Sequence, residues 1–140
     1  MLFVIGTTHH RAPLEVREKL SLSAEGAIAL RGELAALAGL REFALLSTCN
    51  RIEFYGVASD PGVVGRIEGA FCSRQSFDPE AFRRIRLDLN GPEAVRHLIE
   101  VAAGLDSQML GETEIFGQVK EAYAEAQSRG STGPVLNRVF

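Results

Sequence analysis

The sequence predicts an α+β fold: a ferredoxin-like βαββαβ sandwich followed by a helical lobe. Three observations carry that expectation. Short apolar or alternating runs at Leu2–Thr7, Phe43–Leu46, Ile52–Val57 and Arg83–Leu89 have the composition and period of strands. Segments of helical periodicity lie between the first and second runs and between the third and fourth, so each helix spans a crossover. Beyond residue 89 the two-residue period disappears and two long amphipathic stretches follow. The expected boundaries are residues 1–89 for the α+β part and 90–140 for the helical part.

The elements follow in order. The first strand ends at Gly6 and a polar turn, Thr7-Thr8-His9-His10-Arg11. Pro13 then opens a short helix over Leu14–Leu20, since proline suits a first helical turn. Ser23 is placed to cap the next helix, with Glu25 in its first turn; Ala27, Leu30, Leu34 and Leu37 recur at helical spacing and Gly39 stops it. Asp60-Pro61 reads as a cap followed by proline, and Val63, Val64, Ile67, Ala70 and Phe71 form one apolar stripe, with Cys72 at the end as a partly buried structural thiol. In Arg83–Leu89 the residues Arg84, Arg86 and Asp88 alternate with Ile85, Leu87 and Leu89. Asn90 and Glu93 have the spacing of a capping box, and Ala94, Leu98, Val101 and Leu105 line one helical face. A second helix is expected from Glu112 to Ser128. The stretch Gly130–Phe140 ends on an apolar pair with no stop signal, as in a domain cut from a longer chain.

Composition narrows the function classes. The 140 residues are 46% hydrophobic and 24% charged, ordinary for a globular protein with its own core. No apolar run approaches the length that crosses a bilayer, and the N-terminus has no basic start or signal-peptide length. Two cysteines exclude a disulfide scaffold and point to a reducing, cytoplasmic setting. A net charge of −3 argues against general nucleic-acid binding, and the basic cluster Arg83, Arg84 and Arg86 reads as a solvated strand edge. His9 and His10 lack carboxylate or thiol neighbours at ligand spacing, so no metal site is expected there. Gly62, Gly65 and Gly69 have the wrong spacing for a dinucleotide loop, and no Walker-type loop or Cys-x-x-Cys pair occurs.

Three constellations remain. Cys49 sits between two strands in Ser47-Thr48-Cys49-Asn50-Arg51-Ile52-Glu53, flanked by small polar residues and a guanidinium rather than the apolar neighbours of a structural thiol. These residues alone leave open a nucleophile and a plain hairpin cysteine. Glu114 and Gln118, four apart, project from one helix face after the polar link Gly104–Gly111; a ligand site and a capped helix start both fit. His97 lies at the edge of its helix's apolar face, with Glu93 and Glu100 about one turn away. It suits a surface carboxylate pair, or a base or acid if that helix packs against the rim carrying Cys49.

Taken together, three blocks in order resemble the glutamyl-tRNA reductase family over nearly the whole chain. Gly6-Thr7-Thr8-His9-His10-Arg11-Ala12-Pro13-Leu14-Glu15-Val16-Arg17-Glu18 is similar to its N-terminal signature, and Ser47–Glu53 to its catalytic-cysteine motif. The third block runs from His97-Leu98 through Gly104-Leu105-Asp106-Ser107 and Gly111-Glu112 to Gly117-Gln118-Val119-Lys120-Glu121-Ala122-Tyr123. The resemblance implies NADPH-dependent reduction of glutamyl-tRNA to glutamate-1-semialdehyde, the first step of tetrapyrrole (porphyrin) synthesis. Cys49 would take the glutamyl group as a thioester, which accepts hydride more readily than an ester. Thr48, Asn50 and Arg51 would line the glutamate pocket, with Arg51 suited to forked pairing with a carboxylate. Ser107, Glu112, Thr113, Glu114 and Gln118 match further substrate contacts, although the family commonly has Gln where this chain has Glu114. His97 matches the histidine required for activity, its role as base, acid or orienter left open. The resemblance also implies an NADPH-binding domain and a helical dimerisation domain outside these residues, a homodimer, and pairing with glutamate-1-semialdehyde aminomutase, with no metal.

Two other readings compete. One is a cysteine-dependent acyl transferase or hydrolase without reduction. The other is a ferredoxin-like module that binds RNA on its sheet, which needs Phe54 and Tyr55 exposed.

Overall fold

The computed structural model describes residues 1–104 and 114–140. Four strands, β1 (Leu2–Thr8), β2 (Leu40–Ser47), β3 (Arg51–Ala58) and β4 (Leu87–Asn90), form one sheet of order β2-β3-β1-β4 in which every pairing is antiparallel. Helices α1 (Leu14–Leu20) and α2 (Ala24–Ala35) connect β1 to β2, and α3 (Gly62–Gln75) and α4 (Pro79–Ile85) connect β3 to β4. Helices α5 (Pro92–Ala102), α6 (Glu114–Ser128) and α7 (Pro134–Val139) follow. Among the described residues no helix is long and apolar enough to cross a membrane.

Because side chains alternate across a strand, the sheet sends two sets of apolar residues in opposite directions. Phe3, Ile5, Phe43, Leu45, Ile52 and Phe54 pack with Leu30 and Leu34 of α2, Ile67 and Phe71 of α3, and Phe82 of α4. On the other face Val4, Leu46 and Tyr55 meet Leu98 and Val101 of α5 and Ile115 and Val119 of α6. Both faces are covered, which explains why β3 is buried along its whole length.

At Ser23 local chemistry matched the sequence reading: its Oγ accepts from Gly26 N at 2.9 Å at the start of α2. The expected Asp60 cap with Pro61 as first residue is one place early: Pro61 holds the cap position and α3 begins at Gly62, whose N–H donates to Asp60 Oδ1 at 2.9 Å. Three further expectations need correction, and one element is new. Arg83–Ile85 are not strand but the last turn of α4, because Asp78 caps that helix and Pro79 supplies its first residue; β4 begins only at Leu87. The Asn90–Glu93 capping box does not form. Asn90 ends β4, and Gly91, with φ of 58°, makes the turn into α5. Arg86 is no freely solvated edge residue: it pairs with the buried Glu68 and reaches Asp88 at 3.5 Å. Helix α7 is an addition. Its start is fixed by buried Glu42 of β2, whose carboxylate accepts from Gly133 N (2.7 Å), Leu136 N (2.8 Å) and Val135 N (3.3 Å).

Gly6 of β1 lies opposite Glu53 of β3. A Cβ there would come within 2.0 Å of the Ile52 carbonyl oxygen and 2.7 Å of Glu53 Cα, both backbone atoms that cannot swing aside. Gly6→Ala is therefore expected to lower stability by about 3 kcal/mol, measured by urea unfolding; a loss within 0.5 kcal/mol, the ordinary range of a surface change, would contradict this close approach.

Candidate active site

Cys49 and Asn50 form the tip of the β2–β3 hairpin. Below them Thr48 N–H donates to the Arg51 carbonyl at 2.8 Å and Asn50 N–H donates to Thr48 Oγ1 at 3.1 Å, so the tip is pinned by its own flanking residues. Cys49 is exposed. A cavity of about 70 Å³ opens beside it, lined by Thr48, Cys49, Asn50, Arg51, Glu114, Ile115 and Gln118. One water needs roughly 10–15 Å³ of such space, so the volume admits a short polar chain. A second, much smaller space of about 10 Å³ shares Thr48, Cys49 and Arg51 with it and is bounded also by Arg17 and Ser47, among others.

Beneath the tip lies a charge network built on Glu53. Its side chain is fully buried. Tyr55 Oη donates to Glu53 Oε1 at 2.8 Å, Arg51 Nη1 donates to Oε2 at 3.3 Å, and His97 Nε2 lies 2.6 Å from Oε2. Arg51, Glu53 and Tyr55 alternate along β3, so all three face the helices of the second layer, and α5 brings His97 down onto them. His97 was expected at the edge of its helix's apolar face with Glu93 and Glu100 as neighbours. It is instead buried among the core-facing residues and bonded to Glu53, while Glu100 pairs with Arg96.

Thus the structure gathers Thr48, Cys49, Asn50, Arg51, Glu114 and Gln118 around one cavity. His97 joins through Glu53 and Arg51; no hydrogen bond links it to Cys49. Ser107, Glu112 and Thr113 lie outside the described residues. Two participants were missed. Arg17 of α1 donates from Nη1 to Asn50 Oδ1 at 2.9 Å, a contact between distant segments that no spacing rule exposes. Glu53 did carry a signal: a carboxylate in mid-strand with Arg and Tyr two residues to either side shares one face with both. Phe54 and Tyr55 are buried, so the sheet offers no aromatic platform of the kind an RNA-binding module needs.

A family model described as "Glutamyl-tRNAGlu reductase, N-terminal domain" matches residues 5–140. The chain belongs to this family. Curated glutamyl-tRNA reductases from Syntrophotalea carbinolica and Thermosynechococcus vestitus are 40% and 43% identical over 138 residues, in each case 98% of this chain. The solved structure of glutamyl-tRNA reductase from Methanopyrus kandleri superposes with a TM-score of 0.79 at 33% identity and covers 99% of this chain. The chain spans about a third of the length of these relatives, 31% and 32% of the two curated proteins and 31% of the solved chain.

In this member of the glutamyl-tRNA reductase N-terminal domain family the two thiols differ sharply. Cys72 is buried on α3, and burial, with the Glu68 carboxylate adding to it, raises its pKa. Near neutral pH, iodoacetamide is expected to label Cys49 in the native protein and to reach Cys72 only after unfolding, as read by peptide mass spectrometry. Equal native labelling of both would contradict the packing. Replacing Glu53 by Ala leaves Arg51 buried beside a void and is expected to cost about 3–5 kcal/mol, measured by chemical denaturation; Glu53→Gln, which keeps the shape, should cost less.

Proposed function

We propose that the chain is the catalytic domain of a glutamyl-tRNA reductase and that Cys49 receives the glutamyl group from glutamyl-tRNA. One observation carries the reading: the thiol is exposed at a pinned hairpin tip, beside a polar cavity lined by the residues that the family motif nominates for glutamate. Thiolate attack on the aminoacyl ester forms the S–C bond, and collapse breaks the C–O bond to the terminal ribose, whose oxygen leaves with a proton. The thioester has weaker resonance than the ester it replaces, which prepares its carbonyl for hydride. In the longer protein, hydride addition to that carbonyl and cleavage of the C–S bond would release glutamate-1-semialdehyde, for tetrapyrrole (porphyrin) synthesis, and return the Cys49 thiol.

Within this proposal Thr48, Asn50, Arg51, Glu114 and Gln118 hold the glutamyl moiety, joined by Ser107, Glu112 and Thr113. Arg51 is already braced by Glu53, so it meets the substrate as a preset cation rather than a searching one. His97, oriented by Glu53, serves proton transfer. Residues 1–89, read as a ferredoxin-like sandwich on the strength of the βαββαβ path and the antiparallel order β2-β3-β1-β4, present the cysteine, and residues 90–140 close the pocket. NADPH is the reductant that the family implies. Gly62, Gly65 and Gly69 lie inside helix α3 and make no phosphate-cradling turn, so the described residues do not fit that cofactor and no step here runs through it. The reductant's domain, the homodimer, the aminomutase partner and the cytoplasmic setting belong to the longer protein in this reading.

Mass spectrometry after mixing with glutamyl-tRNA at neutral pH should find a glutamyl adduct on the peptide bearing Cys49 and none in Cys49→Ala. Cys49→Ser should form at most an ester that does not go on to aldehyde in the longer protein. His97→Asn is expected to slow adduct formation by about 10²–10⁴-fold. An adduct on another residue, or NADPH oxidation by these 140 residues alone, would overturn the assignment.

A further inference from the structure

Attack on an ester carbonyl moves the π pair onto oxygen, and that oxyanion needs a preset donor next to the nucleophile. Asn50 adjoins Cys49 and lines the same cavity. Its amide orientation is decided by chemistry: a guanidinium only donates, so the atom facing Arg17 Nη1 at 2.9 Å is the carbonyl Oδ1. Nδ2 is therefore turned away from Arg17, and among the described residues it donates to no protein acceptor. Arg17 itself makes no ion pair among the described residues, and its Nε is buried without a hydrogen-bond partner. Its guanidinium therefore stands beside the tip, on the wall of the smaller space. The Asn50 backbone is held separately, its N–H donating to Thr48 Oγ1, so the residue that carries the amide is anchored at the tip.

We propose that Asn50 is the oxyanion donor beside Cys49 and that Arg17, one helix away, is the positioning residue that aims it. This rests on the reading of Cys49 as an acyl acceptor and deepens it. As sulfur bonds to the carbonyl carbon, the oxygen gains the π pair and accepts from Asn50 Nδ2–H. Reformation of the C=O bond expels the alcohol oxygen, and the thiol's proton ends on the departing hydroxyl. Arg17 touches no reacting atom; it withholds Oδ1 from the cleft, where a lone pair would repel the oxyanion, and lends a positive field.

The test compares two reactions of Cys49 in the same protein. Acylation by p-nitrophenyl acetate passes through an oxyanion; alkylation by iodoacetamide does not. Asn50→Ala is expected to slow acylation by about 10²-fold with alkylation unchanged. Arg17→Met should give part of that loss, Arg17→Lys should recover most of it, and Arg17→Met combined with Asn50→Ala should be no slower than Asn50→Ala alone. Asn50→Asp keeps the Arg17 contact, and with it the fold, but has no N–H to give; it should fall as far as Asn50→Ala. Parallel loss of acylation and alkylation, full acylation in Asn50→Asp, or multiplied losses in the double variant would each overturn the proposal. The acetate ester contains neither glutamate nor tRNA, so the outcome is separate from whether glutamyl-tRNA labels Cys49.

Discussion

A carboxylate with no access to water organises this molecule. Glu53 is costly to bury, and it is tolerated because a tyrosine hydroxyl, a guanidinium and an imidazole converge on its two oxygens. Those partners come from neighbouring positions on β3 and from α5, so satisfying one charge joins the central sheet to the second helical layer. The same bond network stiffens Arg51, and Arg51 opens β3 directly after the hairpin tip that carries the sulfur. Stability and site geometry therefore share one set of contacts. Gly6 belongs to this arrangement too, since its missing side chain lets β1 close on the strand at Glu53.

Much of the architecture was legible in the sequence because it follows from periodicity. The cores of β1, β2 and β3 and the stripes of α3 and α6 fall where the apolar spacing put them. Helix α2 ends at Ala35, short of Leu37 and of the expected stop at Gly39. Of the α5 stripe, Ala94, Leu98 and Val101 are buried, while Leu105 lies outside the described residues. The failures have two causes: local patterns that satisfy two rules at once, and partners far away in the sequence. Arg83–Leu89 alternates like a strand, yet the capping aspartate and following proline at 78 and 79 start a helix that overrides its first half. His97 reads as marginal on a helical wheel, and only a partner 44 positions earlier makes its burial favourable. Helix α7 owes its place to a glutamate on β2, which no window around residues 134–139 contains.

The site divides in the same way. The Thr48–Arg51 motif announced itself through chemistry unusual for a core cysteine, and Glu114 and Gln118 through their shared helix face. Glu53 showed only its spacing from Arg51 and Tyr55, and Arg17 nothing, because their importance is relational: one is a sink for three donors, the other a clamp on an amide. Residues that act through others leave little trace in composition or spacing. A fold of this size nevertheless depends on them to hold an exposed thiol at the end of two strands.

The edge strand β2 has a further consequence. An unpaired sheet margin offers N–H and C=O groups to any passing strand, and chains that leave it open tend to stick to one another. Here the Phe43 N–H is already engaged by the Ser131 carbonyl at 2.9 Å, and the adjoining Glu42 carboxylate grips the start of α7. The link from α6 to α7 thus acts as a guard rail along that margin, denying part of it to neighbouring copies during folding and in crowded solution.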